Sequence, residues 1–376
     1  MKQSPRFLNL PSGQLLLPVF MPDATFGVVR SLDSQDLKKC GVEAVVMNTI
    51  HLMQHPGSSV IRQSGGLHDF VGWSGPIVTD SGGFQAYSLI QQNRRWGSIT
   101  NNGLIFHSKK PGRRFVLTPE KSIQLQLSYG SDLLICLDHC THVSEPFESQ
   151  EESVARTIEW ARRCKDEFMK RVVRTEKARG PRPLLFAVVQ GGDNYELRRR
   201  CAESLMEMEF DGFAYGGYPI DEKGNLLADV LEFTRKLIPS EYSMIALGIG
   251  HPNNIRECLR IGYDLFDSSM PTRDARKGRL YSTRKDLSQS SQIRMNETFR
   301  YCYIKDRKYA KSKEPILQHC QCPTCSNYSL AYLHHLFGIR DTLYLRLATL
   351  HNLYFTTRLV GHEGRLHERG QKRTDQ

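Results

Sequence analysis

"GPIVTDSGGFQAYSL" (residues 75–89) sets a short apolar run against a lone acid, Asp80, and follows it at once with Ser81, Gly82 and Gly83. An apolar run that ends on a carboxylate and then on residues without bulk reads as a buried strand delivering a functional group at its end. The pattern recurs in "LPVFMPDAT" (17–25), "EAVVMNT" (43–49), "DLLICLDHC" (132–140), "LLFAVVQGG" (184–192), "GFAYGG" (212–217), "SMIALGIG" (243–250) and "YDLFDSS" (263–269). With the opening stretch that makes eight runs, each continuous enough for a strand covered on both faces, as in a parallel sheet. Between them Val154, Ile158, Ala161 and Phe168 fall at helical spacing, as do Leu227, Val230, Leu231 and Phe233, and Pro252 suits a helix start. Strands and helices alternating eight times predict an α/β fold of the TIM-barrel type, (β/α)8, whose functional groups gather at the C-terminal strand ends. A doubly wound open sheet would not need polar groups at so many strand ends.

The 376 residues are 39% hydrophobic and 24% charged, enough for one large core with a satellite domain. The start "MKQSPRFLNLPSGQLLLPVF" lacks the apolar core of a secretory signal, and no run approaches a membrane span. The expectation is a soluble, cytoplasmic protein. A formal charge of +11 points to a polyanionic partner, most simply nucleic acid, rather than to a merely soluble basic surface. Seven of the ten cysteines (Cys40, Cys136, Cys140, Cys164, Cys201, Cys258 and Cys302) are scattered, mostly in apolar segments, and read as reduced core thiols.

Between the third and fourth runs, Asn102-Gly103 flanked by Ile99 and Leu104 signals a hairpin, part of a small β insertion near residues 90–116 over the barrel mouth. Residues 174–184, "RTEKARGPRPL", form a basic loop. The βα rhythm stops at residue 283, so the chain divides into a barrel (1–283) and a C-terminal subdomain (284–376), with a polar, frayed tail from Gly361. The subdomain carries "HCQCPTC", in which Cys320, Cys322 and Cys325 bring three thiolates within reach of one ion. A fourth ligand could come from His319, His334, His335 or His351, and spacing alone does not choose among them. Four such ligands close the site, which makes the expected zinc structural.

Taken together, "TDSGGFQ", "NTIHLMQHPG", "LDHCT", "VVQGG", "YGG", "FDSSMPTR…RKG", the cysteine cluster and His351-Asn352 resemble the tRNA-guanine transglycosylases over nearly the whole chain. The resemblance implies a (β/α)8 barrel with a C-terminal zinc subdomain, zinc on Cys320, Cys322, Cys325 and His351, and exchange of guanine in tRNA for a 7-deazaguanine base (preQ1 or queuine). It implies Asp267 as the nucleophile that holds ribose covalently and Asp80 as the acid and base for the departing and entering bases. Gly82 and Gly83 would leave room for a flipped nucleotide. Asp138 would accept from guanine N1 and its amino group, Gln190 and the Gly217 amide would donate to O6, Ser81 would line the pocket, and Phe84 would stack unless it is core. Arg273, Arg276, Lys277 and Arg279 would meet flanking phosphates.

The chain departs from the bacterial pattern at "GGYPIDE", where Tyr218 and Pro219 replace small or aliphatic residues, and at Ser268, where many relatives carry cysteine. The resemblance favours queuosine synthesis at the anticodon wobble position, with homodimers common in the family. Competing readings are a related transglycosylase acting on DNA, a retaining glycoside hydrolase with water as acceptor, and a non-catalytic RNA-binding subunit. The zinc cluster and the charge count against the hydrolase, and the two acids against the subunit.

Overall fold

The computed structural model describes residues 6–92, 97–107, 114–172, 181–283 and 299–374, with side chains at the C-terminal end described to residue 361. Its centre is a ring of eight parallel strands: β1 (Val19–Pro22), β2 (Val45–Asn48), β3 (Ile77–Asp80), β4 (Leu133–Ile135), β5 (Leu184–Val189), β6 (Gly212–Tyr215), β7 (Ser243–Ala246) and β8 (Leu265–Ser268). Each lies in one of the eight apolar runs. Neighbours pair in the order β1-β8-β7-β6-β5-β4-β3-β2. The ring closes where Asp23, just past β1, bridges to Val46 and the Ala24 amide donates to the Val46 carbonyl at 2.7 Å.

Side chains alternate along every strand, so two cores form. Val19 and Met21, Val46, Val78, Phe186 and Val188, Ile245 and Leu265 point into the ring, while Phe20, Met47, Ile77, Leu185 and Phe266 pack outward against the helices. An antiparallel hairpin, Phe7–Leu10 with Gly13–Leu16, plugs the N-terminal end by adding Leu10 and Leu15 to the interior cluster. It is fastened there because the Ser12 amide donates to Asp132 before β4, and Arg6 pairs with Asp264 before β8. The C-terminal mouth is left as the end where functional groups can gather.

Helix Phe147–Val172 buries Val154, Ala161 and Phe168 as its spacing requires, and Pro252 occupies the first turn of helix Pro252–Ile261. All seven scattered cysteines are buried and free. The insertion is a three-stranded antiparallel sheet of Gly97–Thr100, Gly103–His107 and Arg114–Leu117. Its turn is Asn101-Asn102 rather than Asn102-Gly103, because Thr100 pairs directly with Gly103. Gly103 has φ +143°, and a Cβ there would sit 2.3 Å from the Leu117 carbonyl, so it serves strand approach and not only the turn. Residues 174–180 of the basic stretch lie outside the described residues; Arg182 at its end makes a two-pronged pair with Asp211 at 2.8 and 2.7 Å.

After the barrel, Arg279–Thr283 pairs antiparallel with Phe299–Tyr303, one strand on each side of the line expected at residue 283. Helices Pro323–Asn327, Leu330–Gly338 and Thr342–Thr374 follow. The expected frayed tail is instead helical to Thr374. "RLHERGQKRT" is polar but rich in good helix formers, which suits continuation of a packed helix. That helix is fixed to the barrel by Arg346, whose guanidinium grips Asp36 at 2.7 and 2.6 Å, and by the Thr357 hydroxyl on the Cys40 carbonyl. Among the described residues no helix is long and apolar enough to cross a membrane.

Candidate active site and metal centre

The inward register of each strand carries past its last apolar residue onto a polar one. Two residues beyond Val78 stands Asp80, beyond Leu265 Asp267, beyond Val188 Gln190, beyond Met21 Asp23, and beyond Val46 Asn48. These side chains therefore converge on the mouth for the same reason that their predecessors fill the core. Around the ring the order is Asp267, Asp23, Asn48, Asp80, on the adjacent strands β8, β1, β2 and β3.

Asn48 pairs in register with Asp80, and its amide nitrogen donates to both carboxylate oxygens at 2.8 and 3.1 Å, with the Gly82 amide adding a third bond at 3.0 Å. Desolvation outweighs these donors, and the charges of Asp267 and Asp23 add to it, so the Asp80 carboxyl is pushed up to about 8. Asp267 accepts from the Gly248 amide at 3.1 Å; burial and the charge of Asp23 raise it to about 7. The two expected acids thus share one electrostatic environment, with Asp23 between them acting on both. Asp23 itself accepts from the Thr25 amide at 3.1 Å and from the Thr25 hydroxyl.

Asp138 lies across the mouth, 9% exposed, accepting from Gln190 Nε2 at 2.6 Å and from the Ser81 hydroxyl. Burial raises it to about 6, so it is ionised at neutral pH and is an acceptor. Gln190 is fully buried; its Nε2 keeps a second hydrogen, and its Oε1 has no partner. Gln190 and the start of the Gly216-Gly217 loop are held by Arg198, a fully buried cation donating to the carbonyls of Val189 (2.7 Å), Gly192 (2.9 Å) and Gly216 (3.0 Å). The Gly217 amide lies toward the Cys140 sulfur.

Gly82 and Gly83 have a different reason from the one expected. At Gly82, with φ +85°, a Cβ would fall 2.4 Å from Ile50, and at Gly83 it would fall 2.7 Å from the Asp138 carbonyl and 2.9 Å from its carboxylate. Both places are taken by the protein, and the glycines let β3 approach Asp138 rather than leaving a void. Phe84 is 45% exposed, which removes the core alternative. Its ring stands 5.5 Å from Tyr218, and Tyr218 meets His142 edge-on at 4.6 Å, giving an aromatic rim beside Asp138.

Helix Met270–Arg276 follows Asp267 and carries Arg273, exposed, and Arg276, half-buried; exposed Lys277 caps it. Arg279 is engaged elsewhere: it pairs with buried Asp274, which also accepts from the Tyr281 and Tyr301 hydroxyls at 3.2 Å each. The expectation that Arg279 faces phosphate therefore meets an internal partner.

Cys320, Cys322, Cys325 and His351 form a cluster whose ligand atoms all lie within 4.8 Å of one another. His351 Nδ1 is 3.9, 3.5 and 3.3 Å from the three sulfurs in turn, while its Nε2 faces the Tyr281 carbonyl at 2.8 Å. These separations bracket the nitrogen-to-sulfur edge of about 3.6 Å expected for a tetrahedron with Zn–N near 2.05 Å and Zn–S near 2.3 Å. The second ring nitrogen on a carbonyl fixes the imidazole with Nδ1 toward the sulfurs. The cluster can hold a metal ion. His334, one of the four candidates, is turned away onto the Ile304 carbonyl at 2.7 Å.

With this geometry in place, the family model described as "TGT: Queuine tRNA-ribosyltransferase" matches residues 6–362. The chain belongs to the queuine tRNA-ribosyltransferase family. Family members named queuine tRNA-ribosyltransferase include that of Caldanaerobacter subterraneus subsp. tengcongensis, 37% identical over 94% of this chain and 87% of its own length. That of Syntrophobacter fumaroxidans is 38% identical over 93% and 86%, and that of Mannheimia succiniciproducens 36% identical over 94% and 86%. Membership agrees with the resemblance in the sequence. The family's reading by motif named Asp80, Asp138, Gln190 and Asp267, but passed over Asp23, Asn48 and Arg198. The signal for the first two was available: each ends an apolar run at the inward parity of its strand.

Proposed function

We propose that this protein exchanges a guanine of tRNA, at the anticodon wobble position, for a 7-deazaguanine base, through a covalent aspartyl-ribose intermediate, as a step of queuosine synthesis in the cytoplasm. The observation that supports it best is the pair of mouth carboxylates, Asp80 and Asp267, raised to about 8 and about 7 in one shared environment. Near neutral pH the first is largely protonated and the second about half ionised, the split that an acid and a nucleophile need. Asp267 attacks C1′ of the ribose as the C1′–N9 bond breaks, and the electron pair leaves with the purine, which takes a proton from Asp80. Asp80 then accepts the N9 proton of the entering base, whose nitrogen attacks C1′ and releases Asp267.

Asp138 accepts from the base's N1–H and amino group, Gln190 donates its remaining hydrogen to O6, Ser81 holds Asp138, and Phe84 stacks with Tyr218 beside it. Gly217 contributes its backbone amide to O6 as well. A base lacking the two N–H donors would leave the buried carboxylate with only Gln190 and Ser81 as donors and its remaining acceptor capacity unmet, a cost of roughly 1–3 kcal/mol. The Cys320, Cys322, Cys325 and His351 cluster holds zinc in a structural role, a closed set of four protein ligands leaving no position for a substrate.

The test offers tRNA and duplex DNA in parallel with labelled guanine, preQ1 and queuine. Exchange into tRNA that Asp267→Ala abolishes, along with any covalent RNA adduct, is the expected result. A fully active Asp267→Ala variant would overturn the mechanism, and exchange into DNA alone would overturn the substrate.

A further inference from the structure

One buried charge near the mouth takes no part in the exchange chemistry above. Arg198 stands in the first turn of helix Tyr195–Met206, after β5, and is fully buried. Its guanidinium donates to the carbonyls of Val189, Gly192 and Gly216, and it lies 4.0 Å from the centre of the Tyr215 ring. None of these partners is an anion. Taking a cation out of water costs free energy that neutral carbonyls return only in part, so packing alone would be served better by an uncharged side chain. The charge therefore calls for a use beyond packing.

The carbonyls it holds show where that use is. The Gly216 carbonyl and the Gly217 amide belong to one planar trans peptide, so they point opposite ways. Holding the oxygen at Arg198 fixes the N–H on the far side, away from the guanidinium. The Val189 carbonyl belongs likewise to the peptide that leads into Gln190, whose N–H is held by the Cys201 sulfur at 3.3 Å from the same helix. That carbonyl also accepts from the Gly216 amide at 2.9 Å, so the ends of β5 and β6 are drawn to one cation. Glycine permits the close approach: a Cβ at Gly191 would fall 2.7 Å from the Arg198 backbone nitrogen, and one at Gly216 would fall 2.6 Å from Gln190 Nε2. A Cβ built on Gly217 would stand 3.4 Å from Gln190 Oε1 and 3.7 Å from Arg198 Nη2. The two groups assigned to the O6 of the base are thus neighbours, with one guanidinium behind both.

We propose that Arg198 is a positioning residue for base departure: it presets the Gly217 amide and Gln190 against O6 and, through the Gly216–Gly217 peptide, stabilises the negative charge that O6 takes on as the purine leaves. This rests on the functional reading above and adds to it a residue that touches no substrate. When the C1′–N9 bond breaks, its electron pair stays on the purine and spreads from N9 through the ring to O6 until Asp80 supplies the proton. At O6 no proton moves. Arg198 keeps its own protons, and O6 gains only stronger hydrogen bonds. A cation bonded to the carbonyl of a peptide draws electron density from its N–H, which makes that N–H a better donor. Because the charge is already in place in a site without water, it acts with no reorganisation at the moment of bond breaking.

The experiment compares guanine with 6-thioguanine as the entering base on tRNA, using the intact protein. The thio base keeps the N1–H and amino group that face Asp138 and offers a weaker acceptor at position 6. The wild type should prefer guanine by roughly tenfold in kcat/KM. Arg198→Met, which keeps length without charge, should lower kcat with guanine by roughly tenfold or more, remove most of that preference and leave the RNA KM unchanged. Arg198→Lys should recover part of both kcat and the preference, because it returns the charge without the planar fork. Arg199→Ala, exposed on the same helix, should change none of these values. If Arg198→Met does not fold, Arg198→Lys and the wild type carry the test. In the wild type, hydrogen exchange of the segment 214–218 should already be slow before a base is added, since a preset peptide needs no ordering. Fast exchange there that slows only with guanine, or equal losses on guanine and 6-thioguanine in a folded Arg198→Lys, would overturn the proposal. A wild type that inserts both bases equally well would overturn the reading of O6 itself, and one that exchanges neither would overturn the functional reading.

Discussion

Asp23 shows what one side chain does at this mouth. It raises the proton affinity of both Asp80 and Asp267 while opposing the like charges around Arg276. With Asp267 near 7 and Asp80 near 8, exchange should rise with pH as the nucleophile ionises and fall as the acid loses its proton. The kcat/KM profile is therefore expected to be a narrow bell with its maximum between those values. Asp23→Asn removes a negative neighbour from both groups, so both limbs should move to lower pH by several tenths of a unit. Limbs that stay in place in Asp23→Asn would show that this carboxylate does not act on the pair. At Asp138, raised to about 6, protonation below that value removes an acceptor, so the KM for guanine should climb there independently of the bell.

The element that joins chemistry to architecture is the long helix Thr342–Thr374. His351 enters the cysteine cluster, and its neighbour Asn352 reaches the helix after β8 and the strand that follows that helix. Asn352 Nδ2 donates to the carbonyls of Pro271 (3.1 Å) and Arg279 (3.0 Å), and its Oδ1 accepts from the Tyr281 amide at 3.0 Å. Pro271 lies in the first turn of the helix that carries Arg273 and Arg276, so the residue next to the cluster's histidine braces that helix. If the cluster holds zinc as proposed, chelating it should release His351, loosen this staple and lower the melting temperature by about 10 °C or more. Asn352→Ala should cost about 1–3 kcal/mol with the metal content intact, since three buried backbone groups lose their partner. A chelated sample that melts and binds RNA as before would dissociate the cluster from the site.

For the whole molecule, the acids of the mouth oppose stability at the pH where they work. Asp80, Asp138 and Asp267 each bind a proton more tightly folded than unfolded. Their contribution to stability is full below the ordinary aspartate range, is lost as pH rises through about 6, 7 and 8, and levels off above that. Asp80→Asn keeps the shape without the charge. It should be inactive yet melt higher than the wild type at pH 8, with the difference shrinking toward pH 5. A difference that does not change with pH would mean that Asp80 does not titrate in this window. The same opposition extends to Arg276, a cation held among cations, so both signs of charge at the mouth are arranged for a ligand rather than for the resting fold.

By itself the sequence determined the ring of strands, because each apolar run is buried on both faces and must be written as a continuous stretch whatever surrounds it. It also determined the acids, since inward parity carries from Val78 to Asp80 and from Leu265 to Asp267 within one strand. Three cysteines within six residues marked the metal cluster for the same local reason. Spacing alone left the completing histidine open, because His351 arrives 26 residues later on a separate helix; the family resemblance named it, and the tertiary structure brings it to the sulfurs. The tertiary structure alone set Asp23 beside the Asp267 strand end, turned Arg279 inward onto Asp274, and filled the space beside Gly82 and Gly83 with Ile50 and Asp138. Periodicity and spacing are properties of one segment, whereas pairing, charge and room depend on which segments the closed barrel makes neighbours.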